Sequence, residues 1–272
     1  MTRPFGRYNS GLPGTRSWSA VAARESPSWY LDPLVAVQKR SEYLRLIRGW
    51  TQDFQPARAL KTDLFEEASG DDRLLADMVP GKHIAIGIDV SPAIARRASQ
   101  RCPEAHARYL AADVRRIPFP DGCIDLIVST STLDHFDSRE GMREAASELA
   151  RVLRSGGRLI VALDNPLNPF YLLLRGISRR RGFPFPLGRT VTRRELTRML
   201  EDLGLEIRAA GELIHNPRLF STLLFLGLRR LLGTRADAPI RSLLRLFALL
   251  GRLPTRSLTA CFIAVCASKR PA

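Results

Sequence analysis

Between residues 57 and 211 the chain alternates short continuous apolar runs with stretches in which apolar residues recur every three or four positions. The apolar runs predict strands over 57–65, 83–89 (HIAIGID), 108–110, 124–130 (IDLIVST), 158–164 (RLIVALD) and 205–211. Helical spacing predicts helices over 71–78, 91–101, 138–153 and 192–203, and Ser155-Gly156-Gly157 is read as the turn into the fifth strand. Strands that are apolar along their length and alternate with helices predict an α/β fold, a doubly wound and mainly parallel sheet covered on both faces. An amphipathic helix over 32–50 precedes this core, and a last strand over 259–267 (TACFIAVCA) follows an insertion of about fifty residues.

The insertion carries a second pattern. Over 218–232, Arg218, Thr222, Arg229 and Arg230 gather on one side of a helix otherwise filled by leucine and phenylalanine. Over 240–253, Arg241, Arg245 and Arg252 form a stripe beside seven apolar residues. Such helices can lie in a bilayer interface, close an active site as a lid, or form a face between subunits, and all three stay open. The formal net charge of +15 sharpens this, because residues 175–198 contribute +7 and residues 216–272 contribute +9, leaving a balanced body. Two basic annexes point to an anionic partner, such as a membrane surface met through 218–256. Nucleic acid is disfavoured, since the basic helices are strongly apolar and hold no aromatic stacking platform. No run approaches the roughly 18 apolar residues of a membrane span.

These features give an organisation of a flexible tail over 1–30 and a single domain over 31–272, with its core at 57–211 and 257–268 and the insertion at 212–256. The tail is polar and has no signal-peptide pattern. Four scattered cysteines form neither a CxxC pair nor a dense framework, so a reducing cytoplasm is expected and no metal. The basic helices would add contact with the inner face of a membrane. Oligomeric state is left open.

In a doubly wound sheet, ligands bind beyond the carboxyl ends of the strands, which directs attention to the residues following each strand. Asp89, in GIDVSPAIARRA, can accept both hydroxyls of a ribose, or can cap the next helix. Asp113 is placed to meet an adenine amino group, with the Val114 amide for a ring nitrogen. Taken with the turn Pro118–Asp121 (PFPD) and the segment Arg151–Gly157 (RVLRSGG), their order resembles that of class I S-adenosylmethionine-dependent methyltransferases. The resemblance covers residues 57–211 and the last strand. It implies a Rossmann-like seven-stranded sheet with an antiparallel last strand, S-adenosylmethionine as cofactor, and a cofactor site made by Asp63, Gly70, Asp89, Val90, Asp113, Val114 and Ser129.

The first loop departs from that family. Where a glycine-rich turn is usual, this chain reads ALKTDLFEEASGDD, with Gly70 alone. Without glycine the backbone reaches left-handed turns less cheaply. Asp63 or Glu67 could instead pair with the cofactor's ammonium group. On the acceptor side, His135 is a candidate base with Asp134 orienting it, and Asp164 and Asn165 in LDNPLNPF could hold an acceptor hydroxyl. Each has a structural alternative: His135 packed against the sheet, and the Asn-Pro steps as a stiffened turn with capping side chains. The expected function is methyl transfer to an oxygen or carbon of a small-molecule or lipid-linked acceptor. The alternative is a binding or scaffold protein that has kept the fold and lost the chemistry.

Overall fold

The computed structural model describes residues 32–78, 83–178 and 188–270; the expected tail over 1–30 lies outside them. Seven strands, β1 (Arg58–Thr62), β2 (Ile84–Asp89), β3 (Ala107–Ala111), β4 (Ile124–Thr130), β5 (Leu153–Asp164), β6 (Leu205–Leu213) and β7 (Phe262–Lys269), form one sheet in the order β3-β2-β1-β4-β5-β7-β6. The first five pair in parallel, and β7 runs antiparallel between β5 and β6. The strand order reverses between β1 and β4, which places a crevice at their carboxyl ends.

The helices are α1 (Pro33–Trp50), α2 (Phe65–Ser69), α3 (Pro92–Arg101), α4 (Arg139–Val152), α5 (Pro169–Ser178), α6 (Arg193–Asp202), α7 (Arg218–Leu232), α8 (Asp237–Leu249) and α9 (Arg256–Thr259). Their starts are written in the sequence. Ser91 and Ser138 cap α3 and α4 through side-chain oxygens that accept from the Ile94 and Gly141 amides, and Thr192 with Glu195 forms a capping box on α6. The sheet buries both faces by strict alternation. Leu126, Val128 and Ile160 pack with Tyr43, Leu44 and Ile47 of α1 on one side. Ile127, Leu159 and Val161 pack with Met142 and Leu149 of α4 and Leu196 of α6 on the other. A third, smaller core of Phe225, Ala236, Ile240 and Leu244 joins α7 to α8 and meets Leu34 and Val35 of α1.

Three predicted elements change. The helix expected over 71–78 is only a short turn at Leu75–Asp77, and a helix forms instead at Phe65–Ser69, where Glu66 and Glu67 are held by the buried Lys61 and the half-buried Lys39. Ser155-Gly156-Gly157 is not a turn between helix and strand but part of β5, where the pairing with β4 shifts register and Gly156 takes a φ of +73°. After Asn168, where the Asn-Pro steps allowed a stiff extended segment or a turn with capping side chains, α5 begins: Asn168 Oδ1 accepts from the Phe170 amide at 2.9 Å, and Pro169 occupies the first helical position.

Candidate active site

A cavity at the switch point, with about 790 Å³ of empty space partly open to solvent, is lined by the residues that follow β1, β2, β3 and β4. It brings together Asp63, Asp89, Val90, Asp113, Val114 and His135, with Thr62, Arg115, Thr132 and Phe136 among their neighbours. Gly70 and Ser129 are not in its lining.

Asp89 ends β2. Its Oδ2 accepts from the Leu64 amide at 3.0 Å and its Oδ1 from the Ser91 amide at 2.8 Å. Those bonds fix the carboxylate and tie the first loop to the second, while Ser91, not Asp89, caps α3. Burial raises the Asp89 pKa to about 6, against the pull of the two amides. Asp113 has a partner that sequence reasoning missed. Arg115 donates from Nη2 to Asp113 Oδ2 at 2.6 Å, and its amide donates to Oδ1 at 2.9 Å. Burial works to raise the Asp113 pKa, but the Arg115 bonds outweigh it and hold the acid below its ordinary value. The same guanidinium stands 5.4 Å from the centre of the Phe136 ring, so Arg115 bridges Asp113 to the segment after β4.

The glycine-poor loop is rebuilt around charge. Lys61, in β1, is fully buried; its Nζ meets Glu67 Oε2 at 2.9 Å and Glu66 Oε2 at 3.4 Å, and donates to the Asp63 carbonyl. Burial opposes the ammonium charge, but the carboxylates of Glu67 and Glu66 outweigh it and raise the Lys61 pKa. Glu67 Oε1 accepts from the Leu74 and Leu75 amides, each at 3.0 Å, and Lys39 of α1 reaches Glu66 at 3.0 Å and Asp72 at 2.5 Å. Glu67 is thus committed to the scaffold and is not the ammonium partner considered above.

The left-handed turn is made without glycine: Asp63 has φ +68°, and its Oδ1 accepts from the Phe65 amide at 2.7 Å. Aspartate tolerates this conformation because its short side chain bonds locally. The glycine that the loop does require lies in β2. A Cβ on Gly87 would stand 2.4 Å from Leu64 Cδ2, so the loop closes only over a bare strand position. Gly70 serves packing instead: its φ is −97°, and a Cβ there would meet Asp72 Oδ1 at 2.3 Å. Ser129 is buried beneath the cavity and accepts from Thr62 Oγ1 at 2.9 Å. These placements correct the expectation that Gly70 and Ser129 face the cofactor.

The acceptor-side candidates separate. His135 lines the cavity, and burial lowers its pKa, leaving a neutral imidazole near pH 7. Asp134 turns away from it: its Oδ2 accepts from the Asp164 amide at 2.8 Å, and burial with the nearby Asp164 charge raises its pKa to about 7. Asp164 is buried at the end of β5, where Arg218, the first residue of α7, approaches its Oδ1 at 2.6 Å and stacks 4.2 Å from the Phe262 ring centre. Asn165 is a fastener, which corrects its expected acceptor role. Its Nδ2 donates to the Ser257 and Ala260 carbonyls at 2.7 and 2.9 Å, and its Oδ1 accepts from the Leu167 amide at 3.1 Å. Arg218 and Lys39 were invisible as site residues, since both lie far in sequence from the strands they serve.

The acids around the cavity fit the family's cofactor. Asp63, Asp89 and Asp113 face one space, and Asp63 is raised well above its ordinary value by burial and by Glu66 beside it, with Asp89 adding to the effect. A cationic group at that end would relieve the repulsion, and a ribose diol would satisfy Asp89. The fold and this cavity define a doubly wound domain with an acid-lined cavity at its switch point. Residues 66–161 match the family model described as a methyltransferase domain. Demethylmenaquinone methyltransferase of Thermus thermophilus is 37% identical over 118 residues, covering 41% of this chain and 50% of that protein. The 2-methyl-6-phytyl-1,4-hydroquinone methyltransferase of Synechocystis is 30% identical over 138 residues, 49% of this chain and 42% of that protein. A solved S-adenosylmethionine-dependent methyltransferase from Thermotoga maritima superposes with a TM-score of 0.60 at 14% identity, covering 94% of this chain and 99% of its own. The chain spans about half the length of the curated relatives it matches. Over residues 66–161 it is thus similar to methyltransferase domains, and its fold is that of a solved S-adenosylmethionine-dependent methyltransferase.

Proposed function

We propose that the protein transfers a methyl group from S-adenosylmethionine to an oxygen or carbon of a small-molecule or lipid-linked acceptor. The observation that carries this reading is the convergence of Asp63, Asp89 and Asp113 on one cavity at the switch point. Bound there, S-adenosylmethionine supplies an electrophilic methyl group on a sulfonium. Asp89, already anchored by two amides, receives the ribose hydroxyls; Asp113, steadied by Arg115, and Val114 receive the adenine edge. Asp63 pairs with the ammonium group. His135, neutral and facing the same cavity, accepts a proton from an acceptor hydroxyl, while Asp134 and Asp164 fix the backbone behind it. Alignment contributes most of the remaining acceleration, since displacement at a methyl carbon demands little beyond an in-line approach.

The two curated relatives are named for demethylmenaquinone and for a phytyl hydroquinone, which supports an amphiphilic ring acceptor over a polar metabolite. Four free cysteines support a reducing, cytoplasmic setting. Calorimetric titration with S-adenosylmethionine and S-adenosylhomocysteine tests the reading. Binding that Asp89→Ala weakens at least tenfold is expected. Absence of binding to the folded protein, or binding indifferent to Asp89→Ala, would overturn the reading in favour of a scaffold that has kept only the fold.

A further inference from the structure

We propose that the α7–α8 hairpin docks the protein flat on an anionic phospholipid surface. Both helices bury one narrow stripe, Ser221 and Phe225 on α7 and Ile240 and Leu244 on α8, against each other and α1. That leaves a second apolar stripe on each. Leu223 is 62% exposed, Leu231 82% and Leu246 58%, and Phe220, Leu249 and Leu253 are exposed beside them. Seven of the fifteen large apolar side chains exposed among the described residues lie on α7 and α8, and Leu253 and Leu258 follow just after them, so more than half of this surface is gathered in and beside the hairpin.

Charge selects the occupant. Arg230, Arg245 and Arg252 are exposed on the same hairpin and its following turn, and form no ion pair among the described residues. The only acid over 216–272, Asp237, is held by Arg229 at 2.5 Å and Arg241 at 3.0 Å. A second copy would set arginines against arginines. Phosphate headgroups above an apolar layer match leucines flanked by long cationic side chains. The geometry is that of lying, not spanning: α8 is about 20 Å long at 1.5 Å per residue, and among the described residues no helix is long and apolar enough to cross a membrane.

The docked face has a consequence for the site. Arg218 opens α7 and pairs with Asp164 at the end of β5, whose amide donates to Asp134 beside the cavity residue His135, so the helix that would touch lipid is tied to the segment bordering the cavity. An amphiphilic acceptor could then enter from the bilayer; this last step rests on the methyl-transfer reading, whereas docking does not.

Flotation of the full chain with vesicles of phosphatidylcholine, alone or mixed with phosphatidylglycerol, tests docking. Binding to the mixed vesicles that weakens as salt is raised is expected, with little binding to phosphatidylcholine alone. Arg245→Ala with Arg252→Ala should each weaken partitioning about fivefold, and Leu223→Asp with Leu246→Asp should abolish it. Titration of the same samples with S-adenosylhomocysteine shows whether each variant is folded and whether the cofactor site works. Lost vesicle binding with retained S-adenosylhomocysteine binding supports the proposal. No binding of the wild type to mixed vesicles at low salt overturns it, as does binding that the leucine variants leave intact. A wild-type dimer in sedimentation velocity that Leu223→Asp dissociates would overturn it in favour of a subunit face. Vesicle binding without any S-adenosylhomocysteine binding would leave docking standing and sink the enzymatic reading alone.

Discussion

Replacing Lys61 by methionine should unfold the first loop before anything else. The Lys61 side chain is fully buried, 2.9 Å from Glu67 and 3.4 Å from Glu66, so Lys61→Met leaves the buried Glu67 carboxylate without its cation and Glu66 with Lys39 alone. Breaking a buried pair from one side costs about 3–5 kcal/mol. At 2–4 °C per kcal/mol for a domain of this size, the melting temperature should fall by roughly 6–20 °C. The sign of the pH dependence discriminates. In the wild type the raised Lys61 pKa keeps its contribution intact through neutral pH, to be lost only as pH rises through the folded value. Glu66, which Lys39 and Lys61 lower to about 2 against burial, contributes stability above its usual value that is lost as pH falls toward 2. In the variant a buried carboxylate has lost its cation, and burial without a counter-charge favours the neutral form. The deficit against wild type should therefore shrink on acidification below neutral pH. The double variant Lys61→Met with Glu67→Gln should recover part of the loss, because a glutamine oxygen still accepts from the Leu74 and Leu75 amides without a charge to solvate. Urea and thermal melts by circular dichroism, repeated across pH, measure all three. A loss under about 1 kcal/mol, the size of a surface ion pair, or a deficit independent of pH, would refute the charged loop as the element that replaces glycine.

Two further outcomes follow from the site. Because burial raises Asp89 to about 6 and ribose hydroxyls bind its ionised form, affinity for S-adenosylhomocysteine should fall progressively as pH drops below about 6; a flat calorimetric profile between pH 5 and 8 would remove Asp89 from the ribose. Gly87→Ala places a methyl 2.4 Å from Leu64 Cδ2, and overpacking of this kind costs about 1–3 kcal/mol; it should also weaken S-adenosylhomocysteine binding, because the Leu64 amide steadies Asp89, and an unchanged melting temperature would contradict the close approach.

The fold was legible because its signal is periodic. Strands buried on both faces read as continuous apolar runs, and Ser91, Ser138 and Thr192 announce their helices through local side-chain bonds. The elements that misread are those whose local signal admits two structures. Asn-Pro at 168–169 stiffens an extended segment or caps a helix, and only the packing of α5 chooses between them. Ser155-Gly156-Gly157 is a turn in isolation and a bulge once β4 lies alongside. Asp89 and Asp113 were legible as cavity residues for the same reason as the strands, because they lie at or just after elements whose ends are sharp.

The loop after β1 was not legible, because its design is long-range. Absence of glycine after β1 suggested a backbone unable to turn, yet two separate substitutions answer the same geometric need. Asp63 takes the left-handed conformation itself, with its carboxylate bonded to the Phe65 amide, and Gly87 in the neighbouring strand gives up the side chain that would have kept Leu64 away. Holding this arrangement then requires cations at the base of the loop, supplied by Lys61 from β1 and by Lys39 from α1, 27 residues before its partner Glu66. In a glycine-rich loop the backbone approaches a ligand because nothing stands between; here a carboxylate stands there, raised by the neighbouring Glu66 and by burial. That difference makes the loop a cation acceptor by its side chain where a bare backbone would offer only carbonyls and amides, and it ties the cofactor end of the cavity to the position of α1. A shift of α1 would move Lys39, release Glu66 and raise the charge repulsion at Asp63, so if Asp63 holds the ammonium group, cofactor affinity should depend on a helix that lies wholly outside the parallel core.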